Sequence, residues 1–438
     1  MADGTVHIVG AGLAGLSAAV QLVAAGRQVA LYEAQGHAGG RCRSFYDPRL
    51  EREIDNGNHL VLSGNRSVRA YLKRIGGEAG LVPEPRAGFA FVDLATQRRW
   101  QVEINNGRLP FWVADPARRI PDTRISDYLS GARLALARPE TTVAQAIPDR
   151  GPIWTRFWEP LTLAAINTTP ERASARLLWR VLAETFLKGG REARPMLAPS
   201  GLGHALVAPA VAWLAERGVA VQHGRVLRGL DRADGRVSGL RFADGDVPIG
   251  PGDAVVLALS PSRLRAVLPE IDVPEDACSI LNAFFRVPET AVGMLEMRPM
   301  VLGVLSATTH WIFRRGDVVS LTVSASDALG LDGADPDTLL PKLWDETRAA
   351  LGLSTGLRYI AARVNKERRA TFDQSPAGVA RRPSAKTPLT NLWLAGDATD
   401  TGLPATIEGA IRSGEVAARL ALGGLRAPSK RAESARAE

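Results

Sequence analysis

A group of polar side chains around one glycine is the part of the sequence best suited to chemistry. The stretch IDNGNHLVLSGN places Asp55, Asn58 and His59 around Gly57, directly before a short apolar run. A histidine and a carboxylate hold or move protons, and an amide orients a hydroxyl group. A strand that only filled a core would not need this cluster. The stretch therefore predicts a site for proton transfer or for a bound polar group.

A glycine-rich turn near the start of the chain has the spacing of a phosphate-binding loop. Gly10, Gly12 and Gly15 form G-x-G-x-x-G between a β-branched strand and an Ala/Leu-rich helix. The pattern allows a tight turn, close approach of backbone N–H groups to a pyrophosphate, and close helix packing. Ala14 lies in the first helical turn, whose dipole favours an anion. Glu33 ends the next strand, where a carboxylate binds a ribose diol, so the unit predicts FAD or NAD.

A second phosphate-binding feature follows the same strand. The segment GHAGGRCRS places Gly39, Gly40 and Arg41 shortly after Glu33. The chain therefore turns back towards the phosphates with a guanidinium group, which binds phosphate oxygens well. This arrangement favours FAD over NAD, and an ordinary surface arginine is the alternative interpretation of Arg41.

The C-terminal segment NLWLAGDATDTGLPATIEGAIRSGEVAARLAL reads as a strand, a glycine-rich loop and a helix. With the two N-terminal motifs, it resembles the FAD-dependent amine oxidase and phytoene desaturase superfamily. The resemblance implies that Gly396 and Asp397 hold the ribityl and pyrophosphate region, that residues 402–410 pass the isoalloxazine ring, and that Val226 in HGRVLRG contacts adenine. The other residues assigned to the cofactor side on this basis are Asp55, Gly57, Thr406, Ile407 and Ala410.

Four segments narrow the resemblance to one group of that superfamily. IDNGNHLVLSGN, WRVLAETFLKGG, PSGLG and KERRATF are most similar to the squalene-associated desaturase-like group, the hydroxysqualene dehydroxylases of bacterial hopanoid biosynthesis. The resemblance covers nearly the full chain. It implies that the substrate is a long isoprenoid, hydroxysqualene, and that reduced FAD delivers a hydride from N5 to give squalene.

Removal of an allylic hydroxyl requires an acid for the departing oxygen and a pocket without water. The resemblance makes His59 the first candidate acid, because the matching strand runs towards the flavin, and Asn58 would orient the hydroxyl. A histidine that only hydrogen-bonds within the fold is the alternative. Glu408, in the flavin-side helix, is a second acid candidate. Lys366 would contact flavin N5 through water, as a lysine does in many amine oxidases, or form an exposed pair with Glu367.

Two other functions are compatible with the same motifs. A carotenoid-precursor desaturase or an amine oxidase would use the same cofactor, although no aromatic residue follows Trp393 to flank the flavin of an amine oxidase. A non-catalytic prenyl-lipid carrier on this fold would not need the cofactor residues Glu33, Arg41 and Asp397. Since all three are present, we expect an FAD enzyme.

The secondary-structure pattern alternates between two textures along the chain. Residues 5–33 predict a βαβ unit and a parallel sheet, and similar segments return near residues 201 and 385. The stretches between them contain amphipathic helices, such as 122–137, and strands without a βαβ rhythm. We therefore predict an α/β fold in which a discontinuous Rossmann-like FAD-binding domain (1–80, 201–280, 385–424) carries an inserted α+β substrate- and lipid-binding domain (81–200, 281–384), followed by a disordered tail (425–438).

Charge and composition restrict the partners. The chain has 438 residues and a formal net charge of +8, which fits a phosphorylated cofactor, nucleic acid or an acidic membrane face. No nucleic-acid recognition module and no metal-ligand spacing occur in the sequence, so neither partner is predicted. Cys42 and Cys278 are far apart and indicate a reducing compartment rather than a disulfide framework.

Membrane contact is left open by the sequence. No apolar run approaches the ~18 residues of a membrane span, and the first strand begins too early for a signal peptide. We expect a cytoplasmic protein, with peripheral contact to an anionic inner-membrane face as an open alternative. The basic and aromatic stretch 98–120 is either that contact or a β-hairpin, and the aromatics within 154–186 suit an apolar tunnel or a helical core. The residues do not indicate which electron donor reduces FAD.

Overall fold

The structure is a computed structural model that describes residues 4–293 and 301–426. Within these ranges the strands are β1 (Val6–Val9), β2 (Val29–Tyr32), β3 (Ser44–Asp47), β4 (Arg52–Asp55), β5 (Val61–Leu62), β6 (Val82–Pro83), β7 (Gly88–Asp93), β8 (Arg98–Glu103), β9 (Pro195–Leu197), β10 (Val221–Gln222), β11 (Leu227–Ala233), β12 (Arg236–Phe242), β13 (Gly245–Pro248), β14 (Ala254–Leu257), β15 (Ala277–Arg286), β16 (Val301–Leu305), β17 (Trp311–Arg315), β18 (Val318–Ser324), β19 (Ala361–Phe372) and β20 (Leu392–Leu394).

The α-helices of the described residues are α1 (Leu13–Ala24), α2 (Arg66–Ile75), α3 (Ala132–Ala135), α4 (Val143–Ala146), α5 (Glu159–Ile166), α6 (Ala175–Glu184), α7 (Ala208–Ala215), α8 (Pro261–Val267), α9 (Glu289–Val292), α10 (Pro336–Leu351), α11 (Pro376–Ala380) and α12 (Ile407–Arg426). The last helix extends past the predicted boundary at 424. The rest of the predicted disordered tail, 427–438, lies outside the described residues. No helix of the described part of the chain is long and apolar enough to cross a membrane.

Five parallel strands form the sheet that the βαβ pattern predicts. Their order is β10-β2-β1-β14-β20, so β1 lies at the centre between β2 and β14. Both β1 and β14 are buried along their whole length, as is typical of a parallel sheet covered on both faces. The strands come from residues 6–32, 221–257 and 392–394, three separate parts of the chain. The α/β fold class is confirmed, whereas the domain boundaries remain a prediction.

Helices α1 and α12 pack closely and join the two ends of the chain. Ser17 Oγ donates to the Ile411 carbonyl at 2.9 Å. A Cβ on Gly414 would lie 2.2 Å from the Ala14 carbonyl oxygen and 2.9 Å from the Ala18 nitrogen. Only a glycine at 414 allows these two backbones to approach so closely. The contact therefore fixes the C-terminal motif against the helix that follows the glycine-rich turn.

A second sheet has seven strands in the order β19-β15-β18-β17-β16-β7-β8. Its neighbours are antiparallel except β7 and β16, which are parallel with Ala90 opposite Leu302. This pairing places residues 88–103 in one sheet with residues 277–372, so segments from both predicted insertions lie together. The sheet already includes Ala277, whereas the predicted boundary lies at 281.

The predicted helix 122–137 is only partly helical. Residues Ile125–Gly131 form a 3₁₀ segment, and a single α-helical turn, α3, follows. Asp127 Oδ2 accepts from the Arg124 N–H at 2.7 Å, and Ser130 Oγ donates to the Asp127 carbonyl at 2.6 Å. Such local side-chain bonds to the backbone compete with the α-helical ladder, which explains the difference from the periodicity.

Candidate active site

The turn between β1 and α1 is crowded where the glycine pattern requires it and open where a ligand would lie. Gly10 has a φ of 105°, and a Cβ there would lie 2.3 Å from the Ala258 carbonyl oxygen. A Cβ on Gly15 would lie 1.8 Å from the Gly10 carbonyl oxygen. A Cβ on Gly12 would meet no protein atom within 4 Å. The space in front of Gly12 therefore fits a pyrophosphate.

Helix α1 begins beside this space without a capping side chain. Gly12 is its N-cap, and its first turn, which includes the buried Ala14, has no acidic residue. The free N–H groups of this turn favour an anion. Gly39 donates its N–H to the Ala11 carbonyl at 2.8 Å, and a Cβ on Gly40 would lie 3.6 Å from Gly12 Cα. The two glycine-rich segments thus pack together at the predicted phosphate site.

The residues predicted to bind adenosine also lie together. Glu33 Oε2 accepts from the Ala11 N–H at 2.8 Å, and Oε1 accepts from the Gln35 N–H at 2.9 Å. The Glu33 carbonyl accepts from the Arg225 N–H at 2.9 Å, which brings the adjacent Val226 to the end of β2. Because a carboxylate oxygen has more than one lone pair, Glu33 can still accept from a ribose hydroxyl.

Arg41 and Asp397, from opposite ends of the chain, form an ion pair with 2.8 Å between Nη2 and Oδ1. Arg41 also donates from Nη1 to the Ala370 carbonyl at 2.5 Å. The Asp397 carboxylate raises the pKa of Arg41, so this cation is permanent. Gly396 precedes the pair with a φ of 133° and donates its N–H to Ser413 Oγ at 2.8 Å. These residues would hold the phosphate and ribityl part of FAD.

A cavity of about 570 Å³ is lined by Arg41, by residues 403–408 at the start of α12, and by residues 56–62. Its volume lies within the ~300–1,000 Å³ usual for small-molecule sites. Most of the wall is apolar. Its aromatic side chains come from distant parts of the chain: Phe89, Phe91, Trp112, Tyr128, Phe157, Trp158, Trp179, Phe186, Trp311 and Phe313. Four of the five aromatics within 154–186 thus line an apolar cavity, whereas Trp154 is buried outside the lining.

His59 lines this cavity and is oriented by its own turn. Its Nδ1 lies 2.9 Å from the Gly57 carbonyl oxygen. Because a carbonyl only accepts, Nδ1 carries the proton and Nε2 of the neutral ring is an acceptor. Burial lowers the pKa of His59 from its ordinary 6.5. The imidazole is therefore mainly neutral at pH 7, and it accepts a hydrogen bond more readily than it gives up a proton.

Asn58 belongs to a hydrogen-bond network that includes a residue the sequence reasoning missed. Asn58 Oδ1 accepts from Ser320 Oγ at 2.9 Å, and its Nδ2 donates to Thr322 Oγ1 at 3.1 Å. Asn282 Oδ1 accepts from Thr322 Oγ1 at 2.8 Å and from the Asn58 N–H at 3.3 Å. Its Nδ2 would lie 3.1 Å from a Cβ on Gly57 and has no protein acceptor within the described residues.

Asp55 is outside the cavity lining, although the sequence places it on the cofactor side. Its Oδ1 accepts from Ser44 Oγ at 2.5 Å and from the Leu202 N–H at 2.9 Å. Its Oδ2 pairs with Arg315 at 2.9 Å. Asp55 thus joins β4 to three other segments, which favours a structural role, and its contact with the cofactor stays a prediction. Gly57, two residues later, does line the cavity.

Lys366 faces away from the cavity, which corrects the expectation that it approaches flavin N5. Its Nζ donates to the carbonyls of Leu331 at 2.8 Å and Asp332 at 3.2 Å, and to that of Ala334. Side chains alternate along a strand, so the next residue of β19, Glu367, lines the cavity instead. Glu367 Oε2 accepts from Asn56 Nδ2 at 3.2 Å.

Residues 406–410 span the start of α12, and residues 406–408 among them line the cavity. Thr406 Oγ1 accepts from the Gly409 N–H at 3.0 Å, which caps the helix. The Thr406 carbonyl accepts from the Ala410 N–H at 2.9 Å. Thr406 and Ile407 both line the cavity, so they remain candidates for contact with the flavin ring.

The Glu408 carboxylate is engaged by the protein, which argues against its role as an acid. Its two oxygens accept from the Ser67 and Val68 N–H groups at 3.0 Å each, at the start of α2. Arg412 Nη2 also donates to Oε1 at 3.0 Å. Glu408 therefore provides the cap that α2 lacks from its own side chains.

The missed residues Asn282, Thr322 and Glu367 lie on neighbouring strands. Asn282 is opposite Thr322 of β18, and Ile280 is opposite Glu367 of β19. Asn282 is buried within an otherwise mainly apolar strand, ACSILNAFFR. A buried amide at the centre of such a strand needs partners, and this was the signal available in the sequence.

The geometry described above agrees with a known family. A profile described as flavin-containing amine oxidoreductase matches residues 13–422. The chain belongs to the flavin-containing amine oxidoreductase family. The predicted superfamily and the flavin cofactor, FAD, are thereby confirmed. In this flavin oxidoreductase, three features fit FAD: the open space at Gly12, the Glu33 carboxylate and the Arg41–Asp397 ion pair.

The relatives of this flavin oxidoreductase extend over almost the whole chain. Hydroxysqualene dehydroxylase of Rhodopseudomonas palustris is 44% identical over 424 residues, covering 97% of this chain and 99% of its own. Hydroxysqualene dehydroxylase of Sinorhizobium fredii is 45% identical over 417 residues, covering 95% and 98%. Cyclohexylamine oxidase from Brevibacterium oxydans has a TM-score of 0.69 at 14% identity, covering 96% and 99%, which shows the shared fold.

Proposed function

We propose that this flavin oxidoreductase converts hydroxysqualene to squalene. The bond from carbon to the hydroxyl oxygen breaks, a hydride is added to that carbon, and a proton joins the departing oxygen to release water. When bound in its reduced form, FAD supplies the hydride and becomes oxidised. The proposal is supported by two relatives named hydroxysqualene dehydroxylase, which match at 44% and 45% identity over nearly the full chain.

The apolar cavity with a few polar groups is the observation that carries this proposal. A long hydrocarbon needs apolar walls, and the aromatic lining provides them. A single hydroxyl needs a small polar cluster, and Asn58, His59 and Asn282 lie together in that wall. Because these walls also exclude water, cation character at the reacting carbon would not be captured by solvent.

We assign the substrate hydroxyl to Asn282 and His59. Three observations favour this assignment: Asn282 Nδ2 has no protein acceptor in the described part of the chain, a Cβ built on Gly57 would lie 3.1 Å from that nitrogen, and His59 Cε1 lies 3.8 Å from the same built Cβ position. The Asn282 amide would donate to the hydroxyl oxygen. Neutral His59 would accept a hydrogen bond from the hydroxyl group at Nε2, and Asn58 would hold the Asn282 amide in place.

The test is incubation of anaerobically reduced protein with hydroxysqualene, with extraction and mass spectrometry of the product. We expect squalene from reduced protein and none from oxidised protein. Phytoene and a panel of primary amines serve as competing substrates. Turnover of phytoene or of an amine by protein that contains FAD, without formation of squalene, would rule out the proposal.

An absorbance spectrum separates an enzyme from a lipid carrier. Purified protein should show flavin bands near about 370 and 450 nm, which are properties of the cofactor itself. Protein that binds squalene but has no flavin bands even after incubation with FAD would be a carrier. Peripheral contact with an anionic membrane is part of the proposal, because the substrate is insoluble in water, and a cytoplasmic location is proposed with it.

A further inference from the structure

Exposed large apolar side chains are concentrated in one part of the sequence. Ten such side chains are exposed in the described residues, and six of them fall within 109–187. We call these six the mouth rim: Leu109, Phe111, Ile125, Leu129, Leu136 and Leu187. Leu136 is 85% exposed and Leu129 is 73% exposed, so neither contributes to the core.

The mouth rim belongs to the chain segments at which the cavity reaches the surface. Pro110, Ala132 and Leu187 line the cavity and are also exposed, so the wall and the outer surface meet there. Other rim residues are direct chain neighbours of the lining. Leu109 and Phe111 flank Pro110, and Leu129 follows the lining residue Tyr128.

Contacts join the three chain segments that carry the mouth rim, residues 109–111, residues 125–136 and Leu187, into one surface. The Trp112 and Tyr128 rings meet edge to face with 5.4 Å between centroids, which connects the segment of Phe111 to that of Leu129. The Gly190 N–H donates to the Asn105 carbonyl at 2.8 Å, which brings the segment of Leu187 beside the first. Helix α3 follows the Ile125–Gly131 segment directly and leads to Leu136.

Arginines without acidic partners accompany the mouth rim. Arg108, Arg133 and Arg138 are exposed, and within the described ranges their side chains take part in no ion pair or hydrogen bond. By contrast, Asp122 nearby is neutralised by Arg98 and Arg156. Apolar side chains among unpaired cations are the pattern of a surface that inserts between anionic lipid headgroups.

We propose that the mouth rim docks on an anionic lipid bilayer, so that the cavity opens into the hydrocarbon layer. The proposal rests on the proposed function, because it gives a water-insoluble isoprenoid a path that never crosses water. The apolar side chains would enter the acyl boundary while Arg108, Arg133 and Arg138 contact headgroup phosphates. This location differs from the stretch 98–120 as a whole, whose residues 98–103 form β8 instead.

The test is sedimentation of the FAD-containing protein with vesicles of phosphatidylcholine, with and without phosphatidylglycerol. We expect binding that requires phosphatidylglycerol and weakens with salt. The triple variant Phe111→Ser, Leu129→Ser, Leu136→Ser should bind at least about tenfold more weakly, because three apolar side chains no longer insert. Replacing the three arginines by glutamine should cost about fivefold per arginine on anionic vesicles.

A matched control uses exposed apolar residues elsewhere. The variant Tyr46→Ser, Leu329→Ser, Ile360→Ser removes three exposed apolar side chains outside the mouth rim and should bind vesicles like the parent. Equal weakening by both triple variants would overturn the proposal, as would a parent that does not sediment with vesicles. A dimer in solution that the rim variant separates would also overturn it, because a second copy would then cover this surface.

Failure of this proposal and failure of the proposed function can be told apart. Vesicle binding is measured without turnover, so binding by a protein that makes no squalene would reject the function and keep the docking surface. The rim variant should retain squalene formation with substrate in detergent micelles and lose it with substrate in vesicles. Equal activity in both would reject the docking surface alone.

Discussion

At the residue scale, the orientation of one buried amide decides how the substrate hydroxyl is recognised. Thr322 and Asn58 both donate to Asn282 Oδ1, which leaves Nδ2 on the side of Gly57. The side chain cannot rotate without losing these bonds. Recognition of a hydroxyl by a fixed donor discriminates strongly against a molecule that lacks it.

We predict that Asn282→Asp weakens hydroxysqualene binding by about tenfold, because a donor is replaced by an acceptor while the Oδ1 contacts persist. Inhibition by squalene, which has no hydroxyl, should not change. Ser320→Ala is the matched control, since it removes one bond to Asn58 without touching the cavity lining. An equal loss of squalene and hydroxysqualene binding would show that Asn282 acts on the fold and not on the hydroxyl.

His59 gives a second prediction, through the direction of its pKa shift. Burial lowers the pKa of the His59 imidazole below 6.5. At pH values above this pKa, the fraction of imidazolium falls by about tenfold for each pH unit. If His59 donates the proton, the rate of squalene formation by pre-reduced enzyme should fall about tenfold between pH 7 and pH 8. His59→Gln should then have little activity and no such slope.

A rate that is flat across this pH range in the parent enzyme would remove His59 as the acid and leave it as an acceptor. Glu367 would then be the next candidate acid, because its carboxyl group lies in the cavity wall. Flavin content by absorbance should be the same in all variants.

At the element scale, the packing of α1 on α12 depends on one missing side chain. Gly414→Ala would force a Cβ against the backbone of Ala14 and Ala18, and we expect a loss of about 1–3 kcal/mol in the free energy of unfolding. Gly423→Ala on the same helix meets no atom within 4 Å and should instead stabilise by about 0.5–1 kcal/mol. Thermal or urea unfolding measures both, and similar effects would contradict this account of the packing.

The elements that the sequence predicts well are those whose signals are local. The β1–α1–β2 unit follows from hydrophobic periodicity and from a local glycine pattern, in which Gly15 is crowded by the Gly10 carbonyl of the same turn. The segment 122–137 is less regular than its periodicity indicates, because Asp127 and Ser130 bond to the nearby backbone. The roles of Lys366 and Glu367 depend on which face of β19 meets the cavity, and this is fixed only by pairing with β15.

At the scale of the whole molecule, the cofactor residues lie in three distant parts of the chain. Gly12, Glu33 and Arg41 come from the beginning, Val226 from the middle and Asp397 from the end. A motif resemblance could locate these parts, but the ion pair between Arg41 and Asp397 and the cavity beside it depend on the complete fold. Bound FAD should therefore hold the ends and the middle of the chain together.

We predict that FAD raises the melting temperature of the protein. When the FAD concentration is 100 times its Kd, the free energy of unfolding should increase by about 2.7 kcal/mol. FMN lacks the adenosine part and should stabilise less. Glu33→Ala should lower stabilisation by FAD and leave that by FMN unchanged, because only the adenosine part reaches Glu33. Equal losses with both flavins would place the Glu33 effect on the turn, where its carboxylate accepts from the Ala11 and Gln35 N–H groups.

The parallel pairing of β7 with β16 also affects how the chain folds while it is being synthesised. Val92 lies opposite Val304, so β7 leaves the ribosome about 200 residues before its partner exists. At about 5–20 residues per second, this apolar strand waits roughly 10–40 s with one edge unpaired. Newly made protein should therefore aggregate unless a chaperone protects this edge, and slower translation after residue 103 should lower the soluble yield.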